Sequence, residues 1–185
     1  MKKILVTGGL GFIGSNLIKL LLLKKFKVIN IDNKSYSSNS YNTKNFKNDI
    51  NYQFIKVDIN NKKKLIQIFK KFKPDGIFNL AASTHVDRSI ENQISFINNN
   101  ILGTYNLLEA LRNYSKINKN YRLIHVSTDE IYGDISKGSV KENSQVKPSS
   151  PYAATKAASN HLVSSYIKTF KLKALIVNPT NNYGP

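Results

Sequence analysis

Two hydrophobic patterns alternate along the chain. Short, nearly continuous apolar runs ending in Gly, Asp, Asn or Ser predict strands at Lys3–Thr7, Lys27–Asp32 and residues 52–58, 76–81, 122–127 and 174–178. Between them, apolar residues recurring every three or four positions predict helices over residues 12–25, Lys62–Phe72, 94–114 and 152–170. In the first helix Ile13, Leu17, Leu20 and Leu21 share one face, which is expected to be buried. In the third, Ile97, Ile101, Tyr105, Leu108 and Leu111 do so, with Gly103 as the weak point. The helix over Lys62–Phe72 stops before Pro74, because the residue ahead of a proline disfavours helical geometry. Residues 33–51, rich in Ser and Asn, predict a long surface loop with a short helix, and His85 and Arg88 fall in a second loop. The alternation predicts one α/β domain over residues 1–185, a doubly wound parallel sheet with helices on both faces. Ligands of such sheets bind beyond the carboxyl ends of the strands.

The junction of the first strand and first helix carries four glycines. Gly8, Gly11 and Gly14 fit G-x-x-G-x-x-G, and Gly9, Gly11 and Gly14 fit G-x-G-x-x-G. Strand, glycine turn and helix start together form a site for a pyrophosphate: backbone approaches without a Cβ, and the helix N-terminus offers free N–H groups. Asp32 ends the second strand, where a carboxylate accepts hydrogen bonds from an adenosine ribose and repels a 2′-phosphate, so NAD is expected rather than NADP. Asp58, ending the third strand, suits the adenine amino group or, nearly as well, a helix N-cap or turn. Ala81 and Ala82 end the fourth strand, leaving room for pyrophosphate and ribose or packing a helix.

Composition narrows the partners. Lys and Arg outnumber Asp and Glu 28 to 11, for a net charge of +17. The lysines fall on predicted helices and helix ends among Asn and Ile, so a solvated surface is favoured over a nucleic-acid interface, and no nucleic-acid partner is expected. A positive field would still attract an anionic sugar nucleotide. There is no cysteine, which excludes disulfides and thiolate chemistry. The apolar start is interrupted by glycines and Lys19 and does not form a signal or a spanning helix, so no membrane partner and a cytoplasmic location are expected.

Chemistry concentrates in the second half. Tyr152 and Lys156 lie one helical turn apart, so phenol and ammonium can lean toward one site, the cation lowering a phenol pKa otherwise near 10. Thr128, Asp129 and Glu130 end the fifth strand. On a regular strand the two acids would face opposite ways, so the chain must leave the strand for both to serve one site; a capping pair is the alternative. His125 and His161 are expected to be packed structural residues, and His85 has no partner at metal-ligand spacing, so no metal is expected.

With these residues in hand, the chain resembles the extended short-chain dehydrogenase/reductase family, and within it the NAD-dependent nucleotide-sugar 4,6-dehydratases that act on dTDP-glucose. The likeness runs from Lys3 to Pro185 through Thr7 to Gly14, His85 to Ile90, Gly103 to Tyr105, Ser127 to Gly133, Pro148 to Lys156 and Asn181 to Pro185. It implies that Tyr152 takes the proton of the sugar 4-hydroxyl, with Thr128 on that oxygen, while hydride passes from C4 to NAD. Glu130 then removes the C5 proton, Asp129 protonates the departing 6-hydroxyl, and hydride returns to C6. It further implies that Phe12, Ile13, Asn33, Lys34, Ser35, Ile59, Asn99 and Asn182 line the NAD site, and that Thr84 and Asn181 touch the substrate. Ser83 and Thr84 stand where the family usually has Glu and Ser. Epimerases and UDP-glucuronate decarboxylases share the fold but lack the adjacent acid pair, and a non-catalytic NAD-binding fragment is the alternative of a different class. The family continues beyond the Asn181 motif into a domain that holds the nucleotide, so this stretch is expected to bind NAD and to turn over dTDP-glucose poorly alone. Members dimerise through helices matching residues 94–114 and 152–170.

Overall fold

The computed structural model describes residues 1–135 and 137–184, so the last residue of the Asn181-to-Pro185 motif lies outside them. Six parallel strands form one sheet in the order β3-β2-β1-β4-β5-β6. They are β1 (Lys3–Thr7), β2 (Lys27–Asp32), β3 (Tyr52–Lys56), β4 (Gly76–Asn79), β5 (Arg122–Val126) and β6 (Ala174–Val177). The chain order reverses between β1 and β4, so a crevice opens there at the strands' carboxyl ends. Thr7 is level with Ile31 on one side and Asn79 on the other, which brings three strand ends to one rim.

Successive strand residues serve opposite layers. Ile4, Val6 and Val28 pack with Ile18, Leu21 and Leu22 of α1 (Phe12–Leu23). Leu5, Ile29, Ile77 and Leu123 face the other way, onto a larger core. That core includes residues of α2 (Lys62–Phe72), α5 (Gly103–Ser115) and α6 (Pro151–Phe170). Both faces of the sheet are therefore covered, which explains why its strands read as continuous apolar runs.

Four local expectations are corrected. In α1, Leu20 is 49% exposed and Ile13 39%, while the buried set is Gly14, Ser15, Ile18, Leu21 and Leu22. Residues 20–23 are all leucine, so periodicity cannot choose the face. The choice is made at Gly14, where a Cβ would lie 2.3 Å from the Gly8 carbonyl oxygen. The predicted helix over 94–114 is interrupted: α4 (Gln93–Phe96) passes into π-helical turns over Ile97–Leu102 before α5 begins. A π turn adds a residue and shifts the phase of the stripe, so Leu108 and Leu111 are buried but Ile97 and Tyr105 are exposed. The segment with His85 and Arg88, expected as loop, carries α3 (Val86–Glu91). His161 also departs from expectation: it is exposed on α6.

One buried acid joins the α2, α5 and α6 layer. The Glu109 carboxylate accepts two bonds from the Arg112 guanidinium at 2.8 and 3.0 Å and one from the Tyr166 hydroxyl at 2.9 Å. Hydrogen bonding to Arg112 is the main cause that holds its pKa down, at about 2. The depressed folded-state value makes its stabilisation complete above the unfolded value of 4.5 and lost as pH falls toward 2. Glu109→Gln is therefore expected to flatten the fall in the urea midpoint across that window; an unchanged slope would remove Glu109 from the acid sensitivity.

Candidate active site

Beyond the carboxyl ends of the strands lies a cavity of about 500 Å³. Its floor is the glycine loop. Gly8 has φ +71° and its N–H donates to the Ile31 carbonyl at 2.9 Å, while a Cβ on it would come within 2.8 Å of the Ala81 nitrogen. Gly11 is the N-cap of α1 and supplies no side-chain cap, and the first turn holds no acid. The first N–H groups of α1 therefore have no side-chain acceptor and suit a pyrophosphate. Phe12, Ile13 and Gly14 line the same wall. Among the described residues, no cluster of three His, Asp or Glu could hold a metal, and no helix is long and apolar enough to cross a membrane.

At the end of β2, Asp32 is 5% exposed and lines the cavity. Its Oδ2 accepts from the Leu10 N–H at 3.0 Å, and its Oδ1 from the Lys34 N–H at 2.8 Å and the Ser38 hydroxyl at 2.6 Å. A carboxylate has about four acceptor directions, so one remains for a ribose hydroxyl. Asn33, Ser35, Ile59, Ala81, Ala82, Thr84, Asn99, Asn181 and Asn182 also line the cavity.

Three expected residues do not line it. The Lys34 ammonium lies over the Phe54 ring, 5.3 Å from its centroid, and only the Lys34 backbone serves the site, by binding Asp32. Asp58 borders a neighbouring recess, where it accepts from the Asn33 amide at 3.1 Å and from the Asn60 N–H at 2.7 Å. It closes a turn ahead of α2, whose N-cap is Asn61, so the turn alternative describes it. Asp129 is the third. β5 ends at Val126 and Asp129–Tyr132 form one 3₁₀ turn. The chain does leave the strand, but neighbours in such a turn diverge by about 120°. Glu130 enters the cavity, whereas Asp129 stays beside Thr128, whose hydroxyl donates to it at 3.3 Å.

Thr128, Tyr152 and Lys156 line the inner end with Glu130. The Ser150 hydroxyl accepts from the Ala153 N–H and starts α6, with Pro151 in its first turn. Ser89 Oγ accepts the Tyr152 N–H at 3.1 Å, and the Phe96 ring meets the phenol edge-on. The expected lowering of the phenol pKa by Lys156 is not what the site does. Burial, then the charge of Glu130, push Tyr152 up to about 12, against a hydrogen bond with Thr128. Burial brings Lys156 down to about 8, and its ammonium donates to the Val126 carbonyl at 2.8 Å. Burial, then Asp129, also raise the Glu130 pKa from its ordinary value.

Sequence reasoning missed Ile31, Ser37, Ser38, Val57, Leu80, Val126, Pro179 and Thr180 in the lining. Only Ser38 carried a usable signal, a hydroxyl six residues beyond Asp32. The π turn is a further surprise with a purpose: it presents Asn99 and Asn100 to Ser83. The Asn99 amide donates to the Ser83 hydroxyl, and Asn100 both accepts from the Ser83 N–H and donates to its carbonyl.

Comparison with known proteins places this geometry. The GDP-mannose 4,6 dehydratase family matches residues 5–185. The chain is 46% identical to a dTDP-glucose 4,6-dehydratase of Haemophilus influenzae, covering 100% of this chain and 57% of that protein. The crystal structure of the Streptomyces venezuelae dTDP-glucose 4,6-dehydratase with NAD superposes with a TM-score of 0.93 at 38% identity, over 99% of this chain and 57% of the other. That of the Bacillus anthracis dTDP-glucose 4,6-dehydratase with NAD gives 0.90 at 36% identity, over 100% and 56%. The chain thus spans little more than half the length of the relatives it matches. A parallel sheet in this order, a glycine loop under a helix start and a family match over nearly the whole sequence agree: the chain belongs to the GDP-mannose 4,6 dehydratase family.

Proposed function

We propose that the cavity binds NAD and that its inner end belongs to a dTDP-glucose 4,6-dehydratase, a hydro-lyase. One observation carries this. Thr128, Glu130, Tyr152 and Lys156 line the same cavity as the glycine loop and Asp32, though Asp32 and Tyr152 come from opposite halves of the sequence. The uncapped start of α1 and the spare acceptor of Asp32 fit a dinucleotide. Bound NAD would supply a hydride acceptor and donor and, when oxidised, a positive charge.

The protein's own groups do the rest. Tyr152 takes the proton of the sugar 4-hydroxyl, while Thr128 donates to the developing carbonyl oxygen. Lys156 holds ribose hydroxyls. The carbonyl at C4 acidifies the proton on C5, and Glu130, whose raised pKa makes it a stronger base, removes it. Asp129 gives its proton to the leaving 6-hydroxyl after a rotation about its Cα–Cβ bond, a motion fast compared with turnover. We also assign Ile94, Ile97, Leu102 and Tyr105, all exposed, to contact with a second copy of the chain.

Deuterium placed on C4 of dTDP-glucose tests the reaction. It should reappear on C6 when the chain is fused to the carboxyl-terminal remainder of the Haemophilus influenzae relative, with slow or no turnover from the chain alone. Label returned to C4 with inverted configuration would mean an epimerase instead. Asp32→Asn removes charge but keeps shape; we expect NAD to bind about tenfold more weakly and the preference over NADP to shrink. An unchanged preference would free Asp32 from the ribose.

A further inference from the structure

We infer that His125 is a positioning residue for the turn of α6 that carries Lys156, acting through a buried hydrogen-bond chain that runs Thr7, Asn79, His125, Ser159. The inference rests on the NAD-binding reading of the cavity only for its effect on affinity.

The chain crosses β1, β4 and β5 and ends on α6. Thr7 and Ser159 are 0% exposed, and Asn79 and His125 1%. Its direction is fixed at every link. The Thr7 hydroxyl oxygen accepts the N–H groups of Leu80 and Ala81 at 3.2 and 3.0 Å, so its own hydrogen goes to Asn79 Oδ1, 2.7 Å away. That turns the Asn79 amide NH₂ toward His125 Nδ1 at 3.0 Å. Nδ1 must then hold a lone pair, and the ring hydrogen sits on Nε2, 3.2 Å from Ser159 Oγ. The Ser159 hydroxyl in turn donates to the Lys156 carbonyl at 2.8 Å. Burial, and secondarily Lys156, hold His125 well below its ordinary value, so the ring is neutral. A charged ring would set two donors, Nδ1–H and the Asn79 amide, against each other.

A sheet interior of this kind is cheapest when apolar, and four polar side chains are tolerated there only because each is matched. What they add is direction. Apolar packing holds a helix on a sheet but resists its rotation and sliding weakly, whereas a single-direction chain permits one placement. Both ends reach the cavity. At one end is Ala81, whose backbone sets the space allowed to Gly8. At the other is Lys156, whose ammonium is held by Val126, the residue after His125. Tyr152 lies one turn earlier on the same helix and moves with it.

Two measurements on the purified chain decide the matter. Nitrogen NMR of the imidazoles should show His125 as the neutral Nε2–H tautomer from pH 5 to 8; the Nδ1–H tautomer, or titration inside that range, would overturn the inference. This needs no variant and no NAD. The second compares Ser159→Ala with Val163→Ala, a fully buried α6 position outside the chain. In Ser159→Ala, NAD should bind about tenfold more weakly and the Lys156 ammonium should titrate higher, as its burial loosens, with neither change in Val163→Ala. Equal behaviour of the two variants would reduce the chain to ordinary core. A wild-type chain that bound no NAD would defeat the cofactor assignment, while the tautomer and the Lys156 titration would still judge His125.

Discussion

Tyr152→Phe is expected to slow dehydration of dTDP-glucose by about three orders of magnitude in the fused protein, with NAD affinity within about threefold of wild type. The substitution removes one oxygen from a ring that is otherwise packed: the side chain is 6% exposed and meets Phe96 edge-on. Fold and cofactor site should persist, and only the proton acceptor is lost. The resting site is poorly set for that role, since burial and Glu130 push the phenol up to about 12. Glu130→Gln should therefore lower the Tyr152 pKa in an ultraviolet difference titration, even as it abolishes proton removal from C5. A Tyr152→Phe enzyme with near-normal turnover would take the phenol out of the chemistry.

Gly14→Val should abolish NAD binding and lower stability by several kcal/mol. A Cβ at Gly14 falls 2.3 Å from the Gly8 carbonyl oxygen and 2.7 Å from the Gly9 Cα, both backbone atoms that no rotamer change can move. Relief requires α1 to lift from the loop, which also exposes Ile18, Leu21 and Leu22; overpacking of a tight core alone costs about 1–3 kcal/mol, and backbone clashes more. Gly11→Ala provides the contrast. Its Cβ meets only the Gly8 oxygen, at 3.3 Å, so it should spare the fold and cost affinity through the space it takes from the ligand. Calorimetry with NAD and thermal melts of both variants measure the two effects. Equal loss of stability in both would show the loop to be less tightly built than its geometry indicates.

Where the sequence was readable, a local rule and the tertiary structure agreed. The strands β1 to β6 lie within one or two residues of their apolar runs, because a sheet covered on both sides needs continuous runs. That Asp32, Tyr152 and Lys156 reach one cavity was readable, because strand-end position and helical spacing survive folding. The places of Asp129, Asp58 and Lys34 outside its lining were not. Each lies beside a residue that lines the cavity, and a 3₁₀ turn, an Asn33 partner or the Phe54 ring turns it aside. The buried face of α1 was hidden by its uniform leucines, and the phase of the 94–114 stripe by π turns that no periodicity announces. The Thr7-to-Ser159 chain was invisible for a different reason: its members are far apart in sequence and meet only when three strands and a helix are in register.

Everything proposed for the cavity depends on its holding NAD. Equilibrium titration of the purified chain with NAD, and in parallel with NADP, asks this most directly. One saturable NAD site per chain is expected, with NADP bound at least about tenfold more weakly because the buried Asp32 carboxylate repels its 2′-phosphate. No saturable NAD binding, or equal affinity for the two, would contradict the assignment at its base.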